Sequence, residues 1–143
     1  MWSGRALTLN EHVEIERAIR SIFENFQSGN VHGLESMLAD DCTVWDVFTP
    51  DFIVGKEARR EFHEKDKAQS KARGPLTWDS RFVRVDVWGD LALACYYLDF
   101  EYQEPGAMTG SVRITDVLRR EAGKWTVIHH HEGLIPIPHD AHS

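Results

Sequence analysis

The stretch SVRITDVLRREAGKWTVIHHHE, residues 111–132, decides the predicted fold. Each half alternates apolar and polar residues, which is typical of a β-strand that buries one face. Ala122 and Gly123 interrupt the alternation and predict a tight turn. We therefore predict a hairpin of two antiparallel strands, Ser111 to Arg120 and Lys124 to Glu132.

The rest of the chain supplies helices first and further strands later. Apolar residues at helical or alternating spacing predict three helices, from about Ile15 to Phe26, Val31 to Leu38 and Lys56 to Ser70. They also predict three more strands, Cys42 to Phe48, Thr77 to Val87 and Leu91 to Tyr102. Helices followed by long antiparallel strands indicate an α+β fold. We expect the helices to cover a strongly curved sheet and to leave a pocket between the two layers.

Length and charge restrict the classes of partner. The chain of 143 residues has the size of one domain, here predicted to span residues 1–143. A formal net charge of −7 argues against a phosphate-binding surface, so no nucleic-acid partner is expected. Apolar stretches are too short to span a bilayer, so no membrane association is expected either.

The two cysteines, Cys42 and Cys95, do not form a Cys-x-x-Cys pattern. We interpret both as reduced, largely buried residues of a cytoplasmic protein. Residues Met1 to Asn10 show no signal-peptide pattern, which agrees with that location. The sequence also lacks a glycine-rich phosphate loop, a serine nucleophile elbow and zinc-type Cys/His spacing, so we expect no cofactor.

Several stretches resemble SnoaL-like and ketosteroid-isomerase-like proteins of the nuclear transport factor 2-like superfamily. Residues 38–46, LADDCTVWD, resemble the segment that leads to the catalytic base of ketosteroid isomerases. Residues 55–62, GKEARREF, resemble the start of the third helix in SnoaL-like proteins. The hairpin residues TDVLRR, GKW and HHH resemble the SnoaL-like C-terminal hairpin and the association domain of calmodulin-dependent kinases. The resemblance implies a cone-shaped, curved antiparallel sheet with three N-terminal helices around a pocket.

Asp116 is the first predicted site residue. The alternation places it on the same face as Val112, Ile114 and Leu118, which we take as the pocket face. Burial of a carboxyl among apolar neighbours raises its pKa. By resemblance Asp116 falls at the position where ketosteroid isomerases keep a neutral acid that donates a hydrogen bond to an oxyanion. The alternative is an Asp that caps a neighbouring turn.

Asp46 and Ile22 are compared with the isomerase machinery in the same way. By resemblance Asp46 falls at the general-base position, and the alternative is a turn-forming Asp at a strand end. Counted back from Asp46 without a gap, the oxyanion-hole tyrosine of the isomerases falls on Ile22. Isoleucine cannot donate a hydrogen bond, so true steroid isomerase activity is not expected unless Tyr96, Tyr97 or a histidine replaces that donor.

Further pocket residues are predicted on the two neighbouring strands. Asp99 is in phase with Tyr97, and Glu132 is in phase with His130. By resemblance the kinase association domain carries pocket arginines where this chain has Asp99, Asp116 and Glu132, which argues against an anionic carboxylate ligand. The alternative for these acids is pairing with arginines at the rim. Tyr97 and Trp45 are predicted as ligand-contacting aromatics, with core or interface packing as the alternative.

The run His129-His130-His131 lies on the last predicted strand. His130 then faces the pocket, where it would shuttle protons, while His129 and His131 lie on the outer face with Trp125 and Val127. A bulge in the strand would reverse this assignment. A metal site formed by the histidines and carboxylates is the less favoured alternative.

These features predict a cofactor-independent enzyme that moves protons on a small, largely apolar carbonyl or hydroxylated compound. Isomerisation, dehydration and cyclisation all fit that chemistry. Asp46 would be the base and Asp116 the oxyanion donor, with His130 and Glu132 assisting. The alternative is a non-catalytic ligand-binding or oligomerisation module of the same fold. A homodimer through the open sheet face is also expected, because an uncovered curved sheet with Trp125 and Val127 exposed would be an apolar patch that favours association.

Overall fold

Three helices and six strands form the described part of the chain in the computed structural model. The structure describes the backbone of residues 2–136 and the side chains of residues 10–136. The helices are α1 (Trp2–Ser28), α2 (Val31–Glu35) and α3 (Lys56–Arg73). The strands are β1 (Leu38–Trp45), β2 (Ile53–Val54), β3 (Leu76–Trp88), β4 (Leu91–Tyr102), β5 (Met108–Glu121) and β6 (Lys124–Leu134). The short strand β2 is the element that the sequence did not predict.

The strands form one sheet in the order β2-β1-β6-β5-β4-β3. Strands β3 to β6 are an antiparallel meander, and β1 joins the edge of β6 in parallel. The sheet is strongly curved and unclosed, and the helices cover its concave side. The α+β, cone-shaped fold class is therefore confirmed, with a parallel β1–β6 pair in place of a wholly antiparallel sheet.

The turn predicted between the last two strands is present. Ala122 and Gly123 both have positive φ angles, 51° and 76°. Positive φ at both central residues is what a two-residue hairpin turn requires, because it matches the twist of the flanking strands. The turn thereby sets the register of the β5–β6 hairpin.

Helix α1 divides the concave side into a packed half and an open half. Ile15 and Ile19 are fully buried against the sheet, where they contribute to the main apolar core. One or two turns later, Ile22, Phe23 and Phe26 line a cavity. The same apolar stripe of the helix therefore seals the narrow part of the fold and forms one wall of its pocket.

A bulge at Ile128 changes which face the residues of β6 present. Val127 pairs with Leu118 whereas His129 pairs with Val117, so Ile128 has no partner on β5. Trp125 and Val127 consequently face the core and are only 4% and 1% exposed. Their predicted position on the outer sheet face is wrong, because strict alternation does not cross the bulge.

A second bulge, at Val83, does the same in β3. The register shifts between Phe82 and Arg84, and Val83 is left 64% exposed. Phe82, Val85 and Val87 pack against the core. Strict alternation would place Val83 on the same face as Val85 and Val87, and the bulge puts it on the opposite face.

Helix α3 turns a largely polar face inward. Arg59 and His63 are buried and Phe62 is half-buried and lines the cavity, whereas Ala58 and Ala68 are exposed. The spacing of apolar residues therefore does not reveal the inward face of this helix.

Candidate active site

A cavity lies between the helices and the concave face of the sheet. It encloses about 130 Å³, close to the ~150 Å³ of an apolar cavity that holds benzene. Most of its wall is apolar, including Ile22, Phe26, Phe62, Trp78, Phe100 and Val112. A largely apolar ligand of about one ring fits this space.

Five polar side chains interrupt the apolar wall. His63, Asp66 and Arg73 come from α3, and His130 and Glu132 come from β6. Acid–base groups thus reach the cavity from a helical wall and from a sheet wall.

On the sheet wall, hydrogen bonds connect the side chains that line the cavity to buried side chains behind them. The Tyr96 hydroxyl donates to Asp116 Oδ2 over 2.6 Å. His130 Nδ1 lies 2.5 Å from Asp116 Oδ1, and His130 Nε2 lies 2.9 Å from Glu132 Oε2. Glu132 in turn lies beside Asp46, close enough for a hydrogen bond when one of the two carboxyls is protonated. We call these five residues, Tyr96, Asp116, His130, Glu132 and Asp46, the sheet-wall chain.

His130 is the cation of the sheet-wall chain. Burial acts to lower the pKa of its imidazole, but the charges and hydrogen bonds of Asp116 and Glu132 outweigh burial and raise it well above its usual value. At neutral pH both ring nitrogens therefore carry protons and donate to the two carboxylates.

Asp46 and Glu132 form a carboxyl pair whose two pKa values are far apart. Burial and the neighbouring charge of Glu132 raise the pKa of Asp46 to about 7. Burial also acts to raise the pKa of Glu132, but hydrogen bonds from His130 and Asp46 hold it at about 2. Asp46 is fixed in place because its Oδ2 accepts from the Phe48 N–H over 2.9 Å and from the Thr49 hydroxyl over 3.3 Å. The pair can give and take a proton close to physiological pH.

The helical wall has its own buried network. Glu35 accepts a hydrogen bond from Arg59 Nη2 over 3.0 Å and bonds His63 Nδ1 through its other oxygen. Burial acts to raise the pKa of Glu35, but the hydrogen bonds from His63 and Arg59 lower it. Nearby, burial and the charge of Glu132 raise the pKa of Asp66 to about 6. We call Arg59, Glu35 and His63 the helix-wall triad.

The structure brings together most of the predicted site residues. Asp46, His130 and Glu132 belong to the sheet-wall chain, and Ile22 lines the cavity. Asp116 is fully buried on the predicted face, but it lies behind His130 and does not line the cavity. Both of its oxygens are occupied by Tyr96 and His130, so the predicted direct donation from Asp116 to a ligand is wrong.

Asp99 and Tyr97 lie on the outer face of the sheet, and their predicted pocket positions are wrong. Asp99 accepts hydrogen bonds from Arg81 and Ser111, both over 2.5 Å, and the bond from Arg81 is the main cause of its lowered pKa. The Arg81 guanidinium lies 4.7 Å above the Tyr97 ring. The inward face of β4 carries Ala92, Ala94 and Tyr96, so Tyr97 and Asp99, which alternate with them, point outward.

Trp45 is also outside the pocket, contrary to its prediction as a ligand contact. It is 48% exposed, and its ring centroid lies 5.3 Å from that of Phe52 and 5.4 Å from that of His131. Strand β1 turns Val44 inward, so Trp45 points the other way.

Sequence reasoning missed the helix-wall triad and Asp66. The signal was the spacing of Arg59, His63 and Asp66, which follow one face of a helix at intervals of four and three residues. A polar stripe of that kind is usually read as solvated. Only the packing of α3 against Glu35 and β1 shows that it faces inward.

Two further observations concern metals and membranes. Among residues 10–136, no three His, Cys, Asp or Glu side chains converge in a way that could hold a metal ion. The rings of His129 and His131 lie on the outer face with centroids 6.4 Å apart, while His130 points inward. None of the helices in the described part of the chain is both long and apolar enough to cross a membrane.

Comparisons with known proteins agree with this architecture. The chain resembles an NTF2-like protein of unknown function from Pseudomonas putida KT2440, with 24% identity over 92% of this chain and 91% of that one and a TM-score of 0.76. A candidate dehydratase of the NTF2-like family from Streptomyces avermitilis is 17% identical over 90% and 99% of the two chains, with a TM-score of 0.78. A candidate calcium/calmodulin-dependent protein kinase type II association domain from Thiobacillus denitrificans is 17% identical over 85% and 94%, with a TM-score of 0.73.

No functionally curated protein matches the sequence. The sequence profile of the SnoaL-like domain, however, matches residues 15–138, which is most of the chain. The predicted resemblance is thereby confirmed, and the protein belongs to the SnoaL-like domain family with an NTF2-like fold.

Proposed function

We propose that the protein is an enzyme that moves protons on a small, largely apolar carbonyl or hydroxylated compound. Its own side chains would serve as acid and base, for isomerisation, dehydration or cyclisation. The observation that carries the proposal is the buried carboxyl pair Asp46–Glu132, in which burial and the charge of Glu132 raise the pKa of Asp46 to about 7 and Glu132 lines an apolar cavity. A general acid–base group works best when its pKa lies near the working pH.

The sheet-wall chain suits the pair to this task. His130 donates to Glu132 and is itself held by Asp116, so Glu132 has a fixed orientation and an adjacent positive charge. The pair would give or accept one of the protons that the reaction moves, at a substrate carbon, at the carbonyl oxygen or at a departing hydroxyl. Asp116 is a positioning residue in this scheme, since it acts through His130.

The candidate dehydratase from Streptomyces avermitilis supports this reaction class by analogy of fold alone. Size adds a restriction, since the cavity of about 130 Å³ favours substrates of about one ring. The acidic groups Asp66 and Glu132 at its wall disfavour a substrate carboxylate.

The test follows solvent deuterium into ketones. Cyclohexanone, a cyclic β,γ-unsaturated ketone and a cyclic β-hydroxy ketone are incubated with the protein in D₂O, and exchange at the carbon next to the carbonyl is measured by NMR. We expect catalysed exchange that falls about 10²-fold or more in Asp46→Asn and Glu132→Gln and is unchanged in Asp99→Asn on the outer face. Exchange that survives both pocket variants would refute this assignment.

A non-catalytic ligand-binding module is the second candidate, and one observation favours it. Tyr96 and His130 direct their hydrogen-bond donors to carboxylates, and Ile22 lines the cavity without a donor. An oxyanion would then find fewer donors than in a ketosteroid isomerase. Ketones that bind, as detected by chemical-shift changes of cavity residues, but show no catalysed exchange would support this candidate.

A further inference from the structure

We infer that His63 is a second acid–base residue of the cavity, which exchanges a proton with the ligand through Nε2 and faces the sheet-wall chain from the helical wall. This inference rests on the proposed function and deepens it, because it determines which substrates two opposed acid–base groups can serve.

The orientation of the His63 ring is fixed from behind. Its Nδ1 bonds a carboxylate oxygen of Glu35, and His63 is buried yet lines the cavity. Its Nε2 has no hydrogen-bond partner among residues 10–136, and this nitrogen keeps some accessible surface. Nε2 is therefore the ring nitrogen available to a ligand.

Arg59 holds Glu35 in turn and is itself immobilised. Its side chain is fully buried, and Nη1 donates to the carbonyls of Ala39 over 3.0 Å, Asp40 over 3.2 Å and Cys42 over 3.1 Å. Nη2 donates to Glu35 over 3.0 Å. The triad thus places His63 through a carboxylate that cannot turn away, as acid–base histidines require.

The charges around the two cavity histidines differ. His130 lies between two carboxylates, and both of its ring nitrogens are engaged. His63 contacts one carboxylate, and the Arg59 guanidinium already neutralises that carboxylate. With Nδ1 bonded to Glu35, the His63 ring leaves Nε2 without a partner among residues 10–136. The cavity therefore has an imidazole nitrogen open to a ligand on one wall and the Asp46–Glu132 carboxyl pair on the other.

Two opposed groups of this kind suit a β-hydroxy carbonyl compound. His63 Nε2 would take the proton from the carbon next to the carbonyl, and the electron pair of that C–H bond would form the new C=C bond. The C–O bond at the β carbon would break, and the departing hydroxide would take a proton from the Asp46–Glu132 pair to leave as water. Return of one proton from His63 to the carboxyl pair through solvent would restore both groups, so no other reactant is needed.

The first test reads the tautomer of His63 without any turnover. Two-bond ¹H–¹⁵N correlation spectra of ¹⁵N-labelled protein at pH 7.5 report which ring nitrogen is protonated. The His63 signals are assigned by their loss in His63→Gln, and His131→Gln on the outer face serves as the matched control. We expect a proton on Nδ1, a bare Nε2, and a shift of the Nε2 resonance when phenol is added as a one-ring probe. A proton on Nε2, or an Nε2 that ignores phenol while it binds, would overturn the inference.

The second test measures dehydration of a cyclic β-hydroxy ketone by the absorbance of the conjugated enone. We expect His63→Gln to lower kcat by about 10²–10⁴-fold, while His131→Gln leaves it unchanged. Undiminished kcat in His63→Gln would also overturn the inference, even if the protein proves to be an enzyme. A bare, phenol-responsive Nε2 without turnover of any ketone would instead refute the proposed function and leave the placement of His63 intact.

Discussion

His130 and Asp116 lie directly opposite each other on β6 and β5, with His130 Nδ1 2.5 Å from Asp116 Oδ1. The pairing depends on the bulge at Ile128, which turns His130 inward after Val127 has also faced inward. Without the extra residue Ile128, regular alternation would turn either Val127 or His130 to the concave side, but not both.

This pair makes Asp116 a large contributor to stability. We expect Asp116→Asn to lower the free energy of unfolding by about 3 kcal/mol, because it leaves the buried His130 cation without one of its two partners. The measurement is urea unfolding at pH 6.5. Asp99→Asn is the matched control on the neighbouring strand, and its loss should be much smaller because its ion pair is solvent-exposed. Equal losses in the two variants would contradict the account.

Asp46 gives the stability of the protein an unusual pH dependence. Its pKa is about 7 in the folded protein against 3.8 for the free side chain, so the folded state binds more protons between these values. The free energy of unfolding should therefore fall as the pH rises from about 4 to about 7. Asp46→Asn removes this contribution, so the difference in unfolding free energy between the two proteins should shift in favour of the variant over that range and level off near pH 8.

Thermal unfolding from pH 4 to pH 8 checks this, with Asp51→Asn in the exposed loop as the control. Asp66 has a pKa of about 6 and contributes in the same direction, so part of the slope should remain in Asp46→Asn. If the melting temperatures of Asp46→Asn and the wild type differ by the same amount at every pH in this range, Asp46 ionises normally in the folded protein.

Arg59 supplies hydrogen bonds to carbonyls of β1 at the point where the β1–β6 pairing is interrupted. The β1–β6 register shifts between Leu38 and Thr43, and the carbonyls of that interval, those of Ala39, Asp40 and Cys42, bond Arg59. Arg59→Lys keeps the charge but cannot serve three carbonyls and Glu35 at once. We expect a loss of about 3 kcal/mol or more in urea unfolding, against almost none for Arg60→Lys on the exposed side. A loss below about 1 kcal/mol would be that of an ordinary hydrogen bond and would contradict this role.

The outer sheet face is expected to pair with a second copy of the chain. Trp45 and Phe52 are 48% and 46% exposed there and lie in ring contact with His131 and His129. An exposed cluster of this kind favours association. Light scattering should give a dimer for the wild type and a monomer for Trp45→Glu. Trp88→Glu, at the far end of β3 and 61% exposed, should remain dimeric. A wild-type monomer would refute the expectation.

Much of the fold was predictable because it depends on local patterns. The Ala122–Gly123 turn and the alternation around it define the hairpin, and the spacing from Ile15 to Phe26 defines α1. These signals involve residues close in sequence, so they do not depend on how the layers pack. The bulges at Val83 and Ile128 have no local sequence signal. Each one changes which face of the sheet the neighbouring residues occupy.

The sequence by itself determined the family, the order of elements and the inward position of Asp116, since periodicity and resemblance need no tertiary contacts. Only the tertiary structure decided which side of β4 faces inward, and so excluded Tyr97 and Asp99 from the cavity. It also turned Arg59 and His63 inward against Glu35. The physical reason is that a buried polar group is stabilised only by partners distant in sequence, and no local pattern reveals whether those partners are there.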